Sequence, residues 1–143
     1  MYYRIQPRCG IENNTVLSVN NNDLTGNLII NTFKEGDDSQ LWQPIVYDLK
    51  GNYIGIVLLN KKTGLVAIAP ENFAPVRQCK VSEMADQRVT WNLAGTAIQL
   101  RNNTDMNLNV KGNGPYPPGT EVYVWDWSKG DPNETWNLLA ADF

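Results

Sequence analysis

Few side chains in this chain could make or break a bond. Histidine is absent, which removes histidine-based triads, histidine-ligated zinc and the usual proton shuttle in one step. Cys9 and Cys79 are the only thiols, too few for a zinc site or a disulfide framework. They read as two buried free thiols, with pairing left open should the fold bring them together. Fifteen carboxylates allow an acid pair on paper, such as Asp37 with Asp38, but neighbours on one turn are not held across a substrate. The residue types therefore point away from catalysis and imply no metal and no cofactor. What remains is non-covalent, and it is concentrated in the stretch 121–127. There Val122 and Val124 alternate with Tyr123, Trp125 and Trp127, so a two-residue period sets the aliphatics on one face and three aromatics on the other. A Gly130-Asp131-Pro132-Asn133 turn follows, and Trp136 resumes the apolar pattern.

The rest of the chain has to position that face. At 143 residues it reads as a single domain, 1–143, long enough to close a core without disulfides. It is 42% hydrophobic and 19% charged, with a mean hydropathy of −0.39, an ordinary soluble balance. The net charge is −3 and no basic run exceeds Lys61-Lys62, so nucleic acid and anionic membranes are disfavoured as partners. The most apolar run, 54–59, is too short for membrane insertion. Residues 1–5 enter a strand-like pattern at once, without the basic and apolar regions of a signal peptide, so a cytoplasmic location, or release without a classical secretion signal, is expected. Asn-x-Thr sequons begin at Asn13, Asn102 and Asn133; a glycan at the last would cover the aromatic stretch, which again favours a cytosolic or bacterial protein.

Gly and Pro total 19 and cluster with Asn between short apolar runs, which indicates an all-β chain. No helical period is sustained; 81–86 has room for one turn of helix. The runs repeat three times. Leu17 to Trp42 spans 25 residues, Leu65 to Trp91 spans 26 and Leu108 to Trp136 spans 28, and the tryptophans lie 49 and 45 apart. Three copies of a roughly four-stranded unit of about 46 residues give about twelve strands. One copy cannot bury its own apolar face, so the three must share a core, most simply as a threefold barrel capped by hairpins.

At these residues the sequence resembles the ricin B-type β-trefoil lectin family, whose repeats close on Gln-x-Trp. Ser39-Gln40-Leu41-Trp42 carries that motif intact, Asn133-Glu134-Thr135-Trp136 carries it with Glu for Gln, and Val89-Thr90-Trp91 keeps the tryptophan alone. The likeness covers the whole chain, with repeats at approximately 1–47, 48–95 and 96–143. It implies an all-β β-trefoil in which Trp42, Trp91 and Trp136 fill the barrel core and the glutamine ties a loop to the backbone. Members without signal peptides or the usual disulfides include cytosolic fungal lectins and some bacterial ones.

The resemblance also implies glycans as partners and one shallow sugar pocket per repeat. Its parts are a polar residue within a Leu-x-Val phrase, an aromatic at the end of the third strand and an Asn before the closing motif. A pyranose stacks its C–H face on the ring, and its hydroxyls need paired donors and acceptors. The third repeat fits best, with Asn109 in the phrase, Trp125 and Trp127 on the aromatic strand, and Asn133. Aligning Gly36 with Gly130 pairs Phe33 with Trp127, which makes Trp127 the first choice of platform; Asp131 and Asp126 could add acceptors or serve only the turn. In the first repeat the corresponding set is Ser18, Asn20, Asn31, Phe33, Asp38 and Gln40. The middle repeat has Ala67 in the polar position and reads as structural.

None of the three repeats keeps the family's Asp. Galactose or N-acetylgalactosamine, the family's usual sugars, are expected with that reservation, because Asn and Ser replace a charged double acceptor. Weak pockets need avidity, from several sites along one trefoil or from a homodimer, and agglutination of cells would follow. The alternative reading is a β-trefoil protease inhibitor acting through the 112–119 loop, stiffened by Pro115, Pro117 and Pro118.

Overall fold

The apolar runs between turn-forming residues become strands in the computed structural model, which describes residues 1–83 and 87–141. The first four are β1 (Tyr3–Pro7), β2 (Thr15–Ser18), β3 (Ile29–Thr32) and β4 (Trp42–Leu49). The next four are β5 (Asn52–Asn60), β6 (Val66–Ile68), β7 (Arg77–Cys79) and β8 (Trp91–Ala94), and the last are β9 (Ala97–Leu100), β10 (Asn103–Val110), β11 (Val122–Asp126) and β12 (Trp136–Ala140). Helix is confined to single 3₁₀ turns among the described residues. One of these is Val81–Glu83; the remainder of the helical turn expected over 81–86 lies outside the described residues.

The first and fourth strands of each set build a barrel. Antiparallel pairing runs β9-β8-β5-β4-β1-β12, and the Trp136 N–H donates to the Thr96 carbonyl at 2.8 Å, bringing the two ends of that path together. The second and third strands form hairpins, β2 with β3, β6 with β7 and β10 with β11, which cap the barrel. Three backbone hydrogen bonds tie the hairpins head to tail in a ring. Leu28 N–H donates to Val76 at 2.8 Å, Val76 to Val122 at 2.9 Å, and Val122 back to Leu28 at 3.0 Å. Each hairpin satisfies a buried donor of the next, so no unit of the repeat closes alone. This is the β-trefoil architecture.

The core explains why tryptophan recurs at the repeat length. Trp42, Trp91 and Trp136 are buried, and each indole N–H reaches a carbonyl in the hairpin of its own repeat: Leu17 at 3.0 Å, Ala67 at 3.4 Å and Leu108 at 2.9 Å. An indole fills volume and also satisfies a strand carbonyl, which an aliphatic residue cannot do. These bonds fix the register of the repeat. The partner of Trp91 is Ala67, so the middle phrase equivalent to Leu17-Ser18-Val19 and Leu108-Asn109-Val110 is Ala67-Ile68-Ala69. Sequence spacing had put Ala67 itself at the polar position. The position is held by Ile68, 4% exposed and packed with Val57, Val66, Cys79 and Val89.

No helix among the described residues is long and apolar enough to cross a membrane. Cys9 and Cys79 are thiols, the first half-buried and the second buried.

Candidate functional site

Strands β10 and β11 pair with Asn107 opposite Trp125, Leu108 opposite Val124, Asn109 opposite Tyr123 and Val110 opposite Val122. Directly opposed residues share a face. Leu108, Val110, Val122 and Val124 therefore go to the core, while Asn109, Tyr123 and Trp125 are left on the other side. Over that side lies a cavity of about 850 Å³. Asn109, Tyr123 and Trp125 line it from the hairpin, Tyr116 from the 112–119 loop, and Ser128, Asp131 and Asn133 from the closing loop.

Both loops are held by main-chain geometry. The Tyr116 hydroxyl donates to the Gly112 carbonyl at 2.9 Å, the Thr120 hydroxyl donates to Pro117 at 2.6 Å, and Gly119 N–H reaches Ile30 at 2.7 Å. On the opposite side Glu134, 1% exposed, accepts the backbone N–H groups of Ser128, Gly130 and Asp131 at 2.8 to 3.0 Å. Lys129 and Gly130 both have positive φ, 59° and 76°, and the resulting turn aims its N–H groups at the carboxylate. In the first repeat Gln40 does the same work differently: its amide donates to the Thr32 carbonyl and accepts the Lys34 N–H, both at 2.8 Å.

The polar groups of the groove are partly committed to this framework. Asn133 donates from its amide to Val110 at 3.0 Å and to Gly112 at 3.3 Å, and Asn109 donates to Asn107 at 3.0 Å. What the two amides have left to offer is chiefly their carbonyl oxygens, as acceptors. Asp126 and Asp131 are exposed carboxylates on the lining, and the Lys111 ammonium lies 5.0 Å from the centroid of Tyr123. Acceptors beside an exposed indole suit a neutral molecule that is apolar on one face and hydroxylated on its rim.

The two tryptophans of the aromatic strand have different roles. Trp125 is still paired within β11, lines the cavity and is 47% exposed. Trp127 is 45% exposed, but it falls after the last paired residue, Asp126, and lies outside that lining. Its ring runs beside Gly130, where an added Cβ would meet it at 3.4 Å.

The first-repeat candidates are dispersed. Ser18 is buried and its hydroxyl donates to Val16 at 3.1 Å. Asn20 accepts the Asn22 N–H, Asn31 accepts the Thr32 N–H, and Asp38 lies 3.4 Å from the Lys61 ammonium. Gln40 is buried in its loop-tying role. Of the residues chosen in that repeat, Phe33 alone lines the depression of about 260 Å³ there, and the Arg4 guanidinium lies 4.3 Å from its ring centroid.

Among the lining residues that sequence reasoning did not assign to the site are Phe73, Lys111, Tyr116 and Tyr123. Tyr123 was legible from strand alternation. Phe73 was not, since it comes from an irregular segment of another repeat.

Beneath the groove, Cys9 donates its backbone N–H to Pro132 at 2.9 Å, and both Cys9 and Tyr116 pack against the core. Burial pushes the Cys9 thiol up from 9.0 to about 11. Tyr116 is also raised, first by burial and then by the charges of Cys9 and Asp131. A raised folded value means the protonated thiol is favoured in the fold. Its contribution is present in full below about pH 9 and is lost as pH rises through about 11. The melting temperature should therefore fall over that window, and Cys9→Ser should make the fall shallower. A melting series from pH 8 to about 11.5 reads this directly; identical slopes for both proteins would exclude the thiol.

The fold is a β-trefoil whose third repeat carries the groove, and known structures share that fold. No protein-family model matches the chain. Among curated proteins, "Ricin B-like lectin R40C1" of Oryza sativa subsp. japonica is 28% identical over 136 residues, a match covering 80% of this chain and 37% of that protein. "Ricin B-like lectin R40G2" of the same plant is 34% identical over 94 residues, covering 57% of this chain and 27% of that protein. The chain thus spans about a third of the length of these relatives. Among solved structures, the designed three-fold symmetric protein ThreeFoil superposes with a TM-score of 0.75 at 22% identity, covering 98% of this chain and 99% of that one. The C-half of the earthworm R-type lectin, in complex with GalNAc, gives 0.73 at 16% identity, with 96% and 97% covered. The Macrolepiota procera ricin B-like lectin, in complex with lactose, gives 0.71 at 18% identity, with 99% and 96% covered. In sequence the chain is similar to these ricin B-like lectins, and in fold it is a β-trefoil like the solved structures.

Proposed function

We propose that this chain is a carbohydrate-binding lectin domain and that its third repeat carries the working site. The reading rests on one observation: a cavity of about 850 Å³ in which the exposed Trp125 ring meets the acceptor-bearing side chains of Asn109, Asp131 and Asn133. A pyranose would stack on the indole and donate its hydroxyls to those oxygens, with no bond made or broken. Galactose and N-acetylgalactosamine are the first candidates, supported by the sugars bound in the earthworm and Macrolepiota proteins. The 112–119 segment is bonded to itself and to β3 and lines the groove, which favours a pocket lip over a projecting inhibitory loop.

Affinity for one sugar unit should be low. About −0.3 kcal/mol per non-hydrogen atom over roughly a dozen atoms gives about −4 kcal/mol, a Kd near ~1 mM. Useful binding then depends on multivalent display or on dimerisation. A glycan array probed with the protein clustered on a multivalent carrier, followed by competition with free galactose, N-acetylgalactosamine and lactose, is the test. Bound spots that the matching free sugar displaces are expected. A blank array at high protein density would remove the proposal.

A further inference from the structure

The groove is not built by the third repeat alone. Phe73 lies between β6 and β7 of the middle repeat, yet it lines the same cavity and is 45% exposed. Its ring centroid is 4.8 Å from that of Trp125, with the ring planes at 85°. The segment carrying it is fastened to β11: Val124 N–H donates to Ala74 at 3.1 Å, and Pro75 pairs with Tyr123 in an isolated antiparallel bridge. Phe73 itself has a φ of +54°, in the left-handed region that a bulky aromatic residue seldom occupies. A strained conformation of this kind persists where its surroundings hold it, and such residues cluster at ligand sites. The middle repeat meanwhile has buried Ile68 where the others place a polar residue, so it lacks the polar part of a pocket of its own.

Two exposed rings at right angles make a corner, not a platform. A single hexose stacks on one ring and leaves the other wall bare. The cavity, at about 850 Å³, lies towards the top of the roughly 300–1,000 Å³ range of pockets for drug-sized ligands, more than one sugar unit fills. Resting on the saccharide reading above, we propose that Phe73 is a specificity-determining residue of this groove and that the ligand is a saccharide of at least two units. The first unit lies on Trp125, and the second sets its C–H face against Phe73. The middle repeat thereby lends its aromatic residue to its neighbour's site.

The test compares each monosaccharide, as its methyl glycoside, with disaccharides that present the same terminal residue, galactose with lactose among them. It is done for the wild type, Phe73→Asn and Phe73→Tyr by array and calorimetry. Asn tolerates a positive φ and removes the ring, so the backbone is kept; Tyr keeps the ring. In the wild type a preferred disaccharide should bind at least about tenfold more tightly than its matched monosaccharide. Phe73→Asn should reduce that ratio below about threefold by weakening the disaccharide, and Phe73→Tyr should retain the ratio. Equal binding of both by the wild type overturns the inference. So does a Phe73→Asn protein that weakens both alike, since the ring would then only support Trp125. If no saccharide binds the wild type, the lectin reading itself fails, and the two failures are thereby told apart.

Discussion

Trp125→Ala is expected to lower affinity for every bound saccharide by about ten- to thirtyfold, which removes a millimolar interaction from the reach of most assays. The indole is the largest exposed apolar surface in the groove lining, and it is held at the end of a paired strand opposite Asn107, so it needs little ordering when a ligand arrives. Losing its area and its stacking amounts to about 1.5–2 kcal/mol. The fold should barely register the change. Trp125 is 47% exposed and its paired backbone remains, so the cost in stability should stay within about 1 kcal/mol, mostly from the lost contact with Phe73. Trp127→Ala is the matched control. Its ring is equally exposed but lies against Gly130 outside the groove, and its removal should change affinity by less than about threefold. Calorimetry on the sugar that the array identifies, with thermal melts of both variants, separates the two. A Trp127→Ala protein that loses binding while Trp125→Ala keeps it would reverse the assignment of the platform.

That pair of tryptophans also shows how far the sequence could be read. Alternation with Val122 and Val124 put Tyr123, Trp125 and Trp127 on one face, and pairing to β10 bears this out for the first two. Trp127 cannot follow, because β11 ends at Asp126 and the chain turns away through two residues of positive φ. The alignment of Gly36 with Gly130 was sound as geometry, both being left-handed turns at 81° and 76°, but it matched loop with loop. Phe33, the partner of Trp127 in that alignment, sits under Arg4 in a separate depression. The threefold repeat was legible because an indole that must both fill the core and satisfy a strand carbonyl has no cheap substitute, so it survives where the glutamine of the motif does not. The middle register was misread by one residue, Ala67 for Ile68, for the opposite reason. Leu65 to Ile68 is uniformly apolar, and only the hydrogen bond from Trp91 to Ala67 tells which residue stands where. Phe73 left no signal at all. Its place follows from the ring of bonds joining the three hairpins, which brings the middle repeat's loop alongside β11.

Glu134→Ala should be the most damaging single change near the groove that leaves the barrel core intact, at about 3 kcal/mol. The carboxylate is 1% exposed and is met by three backbone N–H groups, from Ser128, Gly130 and Asp131. Without it those donors lose their partner, at about 1–3 kcal/mol for each one that water fails to reach. The loop is otherwise exposed, so water should recover part of the loss, which is why the figure is set nearer 3 than 9. For a chain of this size that corresponds to a fall in melting temperature of about 10 °C. Glu134→Gln should behave quite differently. The first repeat already closes with Gln40, whose oxygen accepts the Lys34 N–H while its amide donates to the Thr32 carbonyl. By the same spacing, Gln at 134 could accept from Ser128 and donate to the Asp126 carbonyl, so its cost should stay near ~1 kcal/mol. Urea and thermal unfolding of both variants test the argument, and a harmless Glu134→Ala would refute it. Equal losses in both would mean that the turn requires the full negative charge, so that the third repeat departs from Gln-x-Trp because its loop presents three donors where the first presents one donor and one acceptor. Either result carries over to the groove, since the loop that Glu134 holds supplies Ser128, Asp131 and Asn133 to its lining. A variant that loosens the turn should lose saccharide binding at temperatures where the barrel is still folded.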